Sequence, residues 1–254
     1  MAFVLLATVA AAFFVLPLAG LVLRTPWSSA LQYLAAPAVA DALRLSLVCS
    51  LAATCLSLGL GIPLAWVYAR VDFPGRSVVR ALTTLPLVLP PVVGGIALLV
   101  AFGRRGVFGE PLFEAFGIRL PFTTAGVIVA ETFVAMPFLV ITVEAALRSM
   151  DRRYEDAART LGASRGHIFR TVTLPLVGPA VVAGAVLCWA RALGEFGATI
   201  TFAGSFPGET QTVPLAAYLA LETNPESGVV LGLTLLVISL VVLVALRDRF
   251  LRAW

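Results

Sequence analysis

The chain has 254 residues, of which 60% are hydrophobic and only 13% charged, and its mean hydropathy is +0.99. A water-soluble domain carries about 25% charged residues, so this composition excludes a large soluble core and points to a polypeptide embedded in a lipid bilayer. The net charge of +4 comes from arginine alone: none of the 18 basic residues is lysine, which excludes a phosphate loop of the Walker type, whose lysine must reach the phosphates.

Apolar runs near the roughly 20 residues needed to cross hydrocarbon predict six spans, at residues 2–23, 43–67, 82–102, 124–146, 176–193 and 229–246. The first has no basic segment before it and no polar cleavage segment after it, so it reads as a retained span and not a signal peptide. The third opens on "LPLVLPP", where Pro86, Pro90 and Pro91 are expected to bend or shorten the helix. Cys49, Cys55 and Cys188 lie in apolar runs without ligand-like spacing, so they read as packing residues, and no metal site is expected.

Arginine placement orients these spans. Residues 70–80, 148–173 and the tail from Arg247 hold twelve arginines against five acids, whereas the stretch "ETQTVPLAAYLALETNPE" is purely acidic. The positive-inside rule therefore predicts that both termini and the arginine-rich loops are cytoplasmic. No linker and no short repeat divides the chain, so residues 1–254 read as a single transmembrane domain with one long charged loop at 148–175.

That loop, "YEDAARTLGASRGHIFRTVTLP" from Tyr154 to Pro175, repeats Met150, Tyr154, Ala157, Ala158 and Leu161 at helical spacing, which predicts a helix from Met150 through Leu161. Gly162 interrupts it, and Ser164 is placed to cap a second short helix. Periodicity alone leaves two readings: an amphipathic connector whose apolar side rests on lipid or on the chain's own spans, or a face that docks another protein.

Four ionisable groups fall within or beside the apolar runs. Glu131 is the deepest, six residues before Pro137, and serves either a translocation path or a buried hydrogen bond. Glu144 reads as solvated or paired with Arg148. Arg191 and Glu195, four residues apart, read as an ion pair on one helical face or as part of an anion path, with Glu195 near the outer surface and only mildly desolvated. Thr199 and Thr201 offer hydroxyls to such a path or cap helix ends. No arrangement of catalytic side chains emerges.

The pattern Asp156-Ala157-Ala158, Gly162, Val172 and Leu174-Pro175 resembles the "EAA loop" of permease subunits from binding-protein-dependent ABC importers, with Asp156 for the family's glutamate and Val172 for its isoleucine. The stretches "RALGEFGATITFAG" and "PGETQTVPLAAY" look like molybdate permeases within those importers, and Gly194 to Gly197 also resembles sulfate permeases. The resemblance implies an all-α membrane fold: a six-transmembrane-helix permease with cytoplasmic coupling helices between helices four and five. It implies docking on an ATPase through Tyr154, Asp156, Ala157, Ala158, Leu161, Gly162, Val172, Leu174 and Pro175. The partners implied are a second copy of the chain, two ATPase subunits that use ATP and Mg, and a soluble extracytoplasmic oxyanion-binding protein. No nucleic acid is expected. The implied setting is a bacterial or archaeal cell (inner) membrane, and the implied cargo is molybdate and tungstate. A sulfate or thiosulfate importer is the nearest competing expectation. An ion-coupled secondary transporter using Glu131 and Glu195 is the other, and it leaves the loop pattern unexplained.

Overall fold

Backbone N–H and C=O groups in hydrocarbon must be satisfied within the segment that carries them, so apolar runs of this length form helices. The computed structural model describes residues 1–251 and is all-α in its regular structure. Three helices make the frame: α3 (Pro37–Arg70), α7 (Thr124–Ser149) and α10 (Leu174–Leu193) pack on one another around Ala53, Tyr68, Leu139, Val143 and Cys188. Pro37 starts α3, where its missing N–H costs no helical bond. The Thr123 hydroxyl accepts from the Gly126 N–H to cap α7.

The remaining helices attach to this frame. α1 (Ala2–Arg24) touches α13 (Pro225–Leu251) and buries none of its residues, while α2 (Ala30–Leu34) leads into α3. α4 (Arg76–Thr84), α5 (Pro91–Phe102) and α6 (Gly109–Phe116) lie between α3 and α7. α8 (Arg153–Thr160) and α9 (Arg165–Ile168) lie between α7 and α10, and α11 (Gly197–Phe202) and α12 (Val213–Thr223) between α10 and α13. Among the described residues, five helices are long and apolar enough to cross a membrane, or six if a bent pair counts as one span.

The bent pair is the third expected span, and there the structure departs from a single helix over 82–102. Between residues 76–87 and 91–102 the path bends by 119°. Pro90 and Pro91 cannot donate to the carbonyls one turn back, so the helix stops, and Pro91 opens a new one as its first residue. α5 is therefore short and packs on the still shorter α11. That contact needs glycine: a Cβ at Gly95 would lie 2.7 Å from Thr201 Cβ and 2.8 Å from the Ala198 oxygen, and one at Gly197 would lie 2.8 Å from Pro91 Cβ.

A second departure concerns the acidic connection. Most of "ETQTVPLAAYLALETNPE" is not an aqueous loop, because α12 packs on α13 and α3 with Val213 and Leu215 fully buried. The Val213 N–H donates to the Ser46 hydroxyl of α3 over 2.7 Å, which satisfies a helix-start donor inside the bundle. Glu209, Glu222 and Glu226 remain exposed. Of the cysteines, Cys49 and Cys188 are buried as expected, but Cys55 is exposed. From residue 252 on, the expected arginine tail lies outside the described residues.

Replacing Gly95 with valine should force α5 and α11 apart and cost about 1–3 kcal/mol. A thermal melt of the purified protein in detergent should show a lowered midpoint, and a midpoint equal to wild type would contradict the close packing.

Candidate functional site

The loop between α7 and α10 is held against the end of α3 by arginine. The last carbonyls of a helix lack intrahelical donors. Here the Arg148 Nη2 donates to the Tyr68 oxygen over 3.2 Å and the Arg152 Nη2 to the Ala69 oxygen over 3.3 Å. Arg70, in the last turn of α3, sends its Nε to within 3.2 Å of the Glu155 carboxylate, and both side chains are nearly buried, at 7% and 11% exposure. The other Glu155 oxygen accepts from the Thr173 hydroxyl at 2.8 Å. Thr173 ends a π-helical turn, Phe169–Thr173, that runs directly into α10. One carboxylate thus ties together α3, α8 and the entry to α10.

The helix expected from Met150 through Leu161 is shorter, Arg153–Thr160, because Met150 ends α7 with extended backbone and Leu161 lies past the last turn. Met150 turns inward onto the core, whereas Tyr154 (58%) and Leu161 (88%) stand exposed. Asp156, Ala157 and Gly162 are exposed beside them, and Ala158 is half-buried. Asp156 is paired with Arg159 at 2.7 Å. Gly162 has a φ of +83°, the left-handed conformation that stops a helix. The Ser164 hydroxyl then caps α9 by accepting from the His167 N–H. Val172 and Leu174 are half-buried and Pro175 is exposed at the base of α10. The segment therefore presents an apolar-edged, unpartnered face while its opposite face is bonded to the spans.

A second ionic cluster lies one helical turn deeper. Glu144 is buried and not solvated: its two oxygens meet Arg80 Nε of α4 at 3.0 Å and Arg148 of its own helix at 2.8 Å. Beside it the Tyr68 hydroxyl is 2.6 Å from that of Thr83. These contacts pin the short amphipathic α4 across the ends of α3 and α7.

Toward the other end of the bundle, the break between α10 and α11 carries the expected pair. Arg191 and Glu195 meet at 2.6 Å. They do not share a helical face, because α10 ends at Leu193 and Glu195 lies in the break, with its other oxygen accepting from the Ala198 N–H at 2.7 Å. Glu195 is also not mildly desolvated, being 1% exposed. The Thr201 hydroxyl donates to the Gly197 oxygen. Thr199 and Glu131 are both buried, and the Thr199 hydroxyl and the Glu131 Oε2 have no hydrogen-bond partner among the described residues. Ala130 packs with Ala198 and Phe202, which brings the neighbouring Glu131 and Thr199 to the same α7–α11 contact. Pro137 sits within an unbroken α7.

Sequence reading singled out neither Glu155 nor Arg70, both counted only as loop charge, although an acid beside an exposed one in "YED" is the signal that two faces of α8 differ. It also missed the row of buried hydroxyls on α3, Ser46, Ser50, Thr54 and Ser57, which face α7, α10 and α12. Their near four-residue spacing inside an apolar run marks an interior helix face.

Residues 57–253 match the family described as binding-protein-dependent transport system inner membrane component. The molybdenum transport system permease protein ModB of Mycobacterium tuberculosis is 48% identical over 239 residues, covering 93% of this chain and 89% of that protein. ModB of Escherichia coli is 46% identical over 207 residues, covering 80% and 90%. The sulfate transport system permease protein CysT of Escherichia coli is 38% identical over 210 residues, covering 82% and 76%. A crystallised bacterial ABC transporter involved in the import of the acidic polysaccharide alginate superposes with a TM-score of 0.78 at 20% identity, over 97% of this chain and 93% of that one, which shows a shared fold.

Exchanging Glu144 for glutamine leaves two guanidinium groups without their shared anion and should cost about 2 kcal/mol. Melting of the purified variant should fall accordingly, and an unchanged midpoint would mean that the cluster contributes nothing to stability.

Proposed function

The chain belongs to the binding-protein-dependent transport system inner membrane components, and from that premise we propose that it is the permease subunit of an ABC importer carrying molybdate, and with it tungstate, inward by alternating access. The high identity to molybdenum permeases across nearly the whole chain carries this reading. The chain itself is not an enzyme. ATP and Mg are used by two separate ATPase subunits, and a soluble extracytoplasmic protein delivers the anion to a dimer of two permease copies. The chain sits in the cell membrane with both termini on the cytoplasmic side, in keeping with arginines concentrated at the α8 end.

In this reading α8 and α9 are the coupling helices between the fourth and fifth spans. Tyr154, Asp156, Ala157, Ala158, Leu161 and Gly162 meet the ATPase, and Val172, Leu174 and Pro175 pass its movement into α10. The support is geometric: the face carrying Tyr154 and Leu161 has no partner among the described residues, while the opposite face is fixed to α3 through Glu155, Arg70 and Arg152. A rigidly tied lever with a free apolar edge suits an external motor.

The break at residues 194–196 is the proposed polar part of the path, with Glu131, Arg191, Glu195, Thr199 and Thr201 around it. Arg191 attracts a dianion but is already partly neutralised by Glu195 at 2.6 Å. Such a site holds the anion weakly enough to release it, as conduction requires. Sulfate is the competing cargo, favoured by the Gly194 to Gly197 segment and by the likeness to a sulfate permease.

Uptake into proteoliposomes holding this chain, its ATPase and its binding protein tests the reading. Labelled molybdate should enter only with ATP on the ATPase side, and excess sulfate should not compete. Equal sulfate uptake would reassign the cargo, and ATP-independent uptake would contradict the mechanism. Gly162→Val, which strains a backbone at φ +83° by about 1–3 kcal/mol, should lower uptake per ATP hydrolysed. Coupled uptake at the wild-type level would remove the turn from the coupling role.

A further inference from the structure

Beside α8 lies a cleft of about 610 Å³, which shares only Asp156 with the residues proposed to meet the ATPase. Its walls come from the end of α3, from α8 and from the α9–π-turn segment. Four arginines line it, Arg70, Arg152, Arg159 and Arg165, against three carboxylates, Asp72, Glu155 and Asp156. Local pairing shifts the balance further toward positive charge. Asp72 is engaged by Arg76, which does not line the cleft, and Asp156 is engaged by Arg159. Arg152 donates to a backbone carbonyl and not to an acid, and Arg165 has no ion pair among the described residues.

Arg70 supplies the second and independent observation. Its side chain is 93% buried by the 7% exposure that remains, and although its Nε lies 3.2 Å from Glu155, neither Nε nor Nη2 has a hydrogen-bond acceptor of acceptable geometry. Buried guanidinium nitrogens are almost always satisfied, and an orphan carries a free-energy cost. Arg70 therefore places a guanidinium with two shielded, unbonded nitrogens behind the wall of a cavity whose rim carries two further guanidinium groups outside any ion pair among the described residues.

We propose that this cleft is a binding site for a tetrahedral oxyanion, held by Arg152 and Arg165 at its rim, with the Arg70 guanidinium adding positive charge behind its wall. Guanidinium forks match the oxygens of phosphate-like groups two at a time, and a tetrahedral ligand can accept from forks that arrive from different directions, which a single planar carboxylate cannot. The ligand comes either as a free anion from the aqueous phase or as the headgroup of an anionic phospholipid. Trp66, Ile168 and Phe169 give the cleft an apolar wall beside the arginines, which accommodates the lipid form as well. A ligand here touches α3, α8 and the entry to α10 at once, so its occupancy acts on the stiffness of the loop. The site does not depend on which cargo is transported.

Trp66 lines the cleft and serves as a local reporter. The full-length protein is placed in nanodiscs of phosphatidylcholine alone and titrated with inorganic phosphate while tryptophan emission is followed, with Trp66→Phe defining the share of the signal that belongs to the cleft. A second preparation, in mixed phosphatidylglycerol and phosphatidylcholine, is analysed for retained lipid by native mass spectrometry. Arg165→Gln and Arg152→Gln, both at exposed positions, carry the test beside Arg70→Gln, and Arg165→Gln, whose arginine makes no ion pair among the described residues, is the variant that leaves the tie to α3 intact. A saturable phosphate response whose affinity falls about tenfold in the two rim variants assigns a free oxyanion. No phosphate response, with phosphatidylglycerol retained by the wild type and lost by the variants, assigns the lipid headgroup. Neither response, or responses equal in wild type and variants, overturns the proposal. Variants that weaken only the association with the ATPase overturn it too, because the arginines would then serve a protein contact. Failure of molybdate uptake would leave these outcomes unaffected, so the two readings fail separately.

Discussion

Two carboxylates, Glu144 and Glu155, are removed from water at the same end of the bundle, and a buried anion persists only where cations and donors are brought to it. The groups brought to them come from different elements: Arg80 from α4, Arg148 from α7, Arg70 from α3 and the Thr173 hydroxyl from the entry to α10. Arg148 and Arg152 also close off the last carbonyls of α3. Desolvation thus does what apolar packing could not do in this region. It fixes short, polar, amphipathic segments at defined positions on the ends of long helices, beside the last core residues there, Tyr68, Ala69 and Leu147.

The other organising constraint is the pair of breaks in the helical ladder. At 88–90 proline ends one helix, and at 194–196 the chain leaves α10, which ends at Leu193. Irregular backbone at such depth is tolerated only where protein covers it or a polar path uses it. The two short helices that follow the breaks, α5 and α11, meet through Gly95 and Gly197, so each break is covered by the element that follows the other. α7 and α10 run from this contact to the arginine-rich end, where the loop between them is anchored. In the proposed importer, force applied to α8 reaches the polar break through those two helices, which is the arrangement that alternating access needs.

Much of this was legible in the sequence. The long apolar runs gave the spans because their length and hydropathy leave a helix as the only way to satisfy the backbone in lipid, and the "LPLVLPP" stretch gave the bend because proline has no N–H to offer. Gly162 and Ser164 marked the end of one short helix and the cap of the next for equally local reasons. What failed was whatever depended on packing. α12 is too short to register as a span, and its start is satisfied by Ser46, more than 160 residues away, which no local pattern reveals. Glu195 lay near a span end by counting, yet it is buried because α11 and α5 fold over the break. The role of Glu155 depends on Arg70 and Thr173 converging on it, and the three residues are far apart in the chain.

The central claim is that the loop between α7 and α10 is a lever whose tie to the spans is the Glu155 carboxylate. The most direct measurement is the ratio of molybdate taken up to ATP hydrolysed by the reconstituted complex carrying Glu155→Gln, which keeps the shape of the side chain and removes its charge. If the tie transmits the movement, the variant should assemble with the ATPase and hydrolyse ATP while transporting far less anion per ATP. A variant that assembles, hydrolyses and transports at the wild-type ratio would contradict the claim.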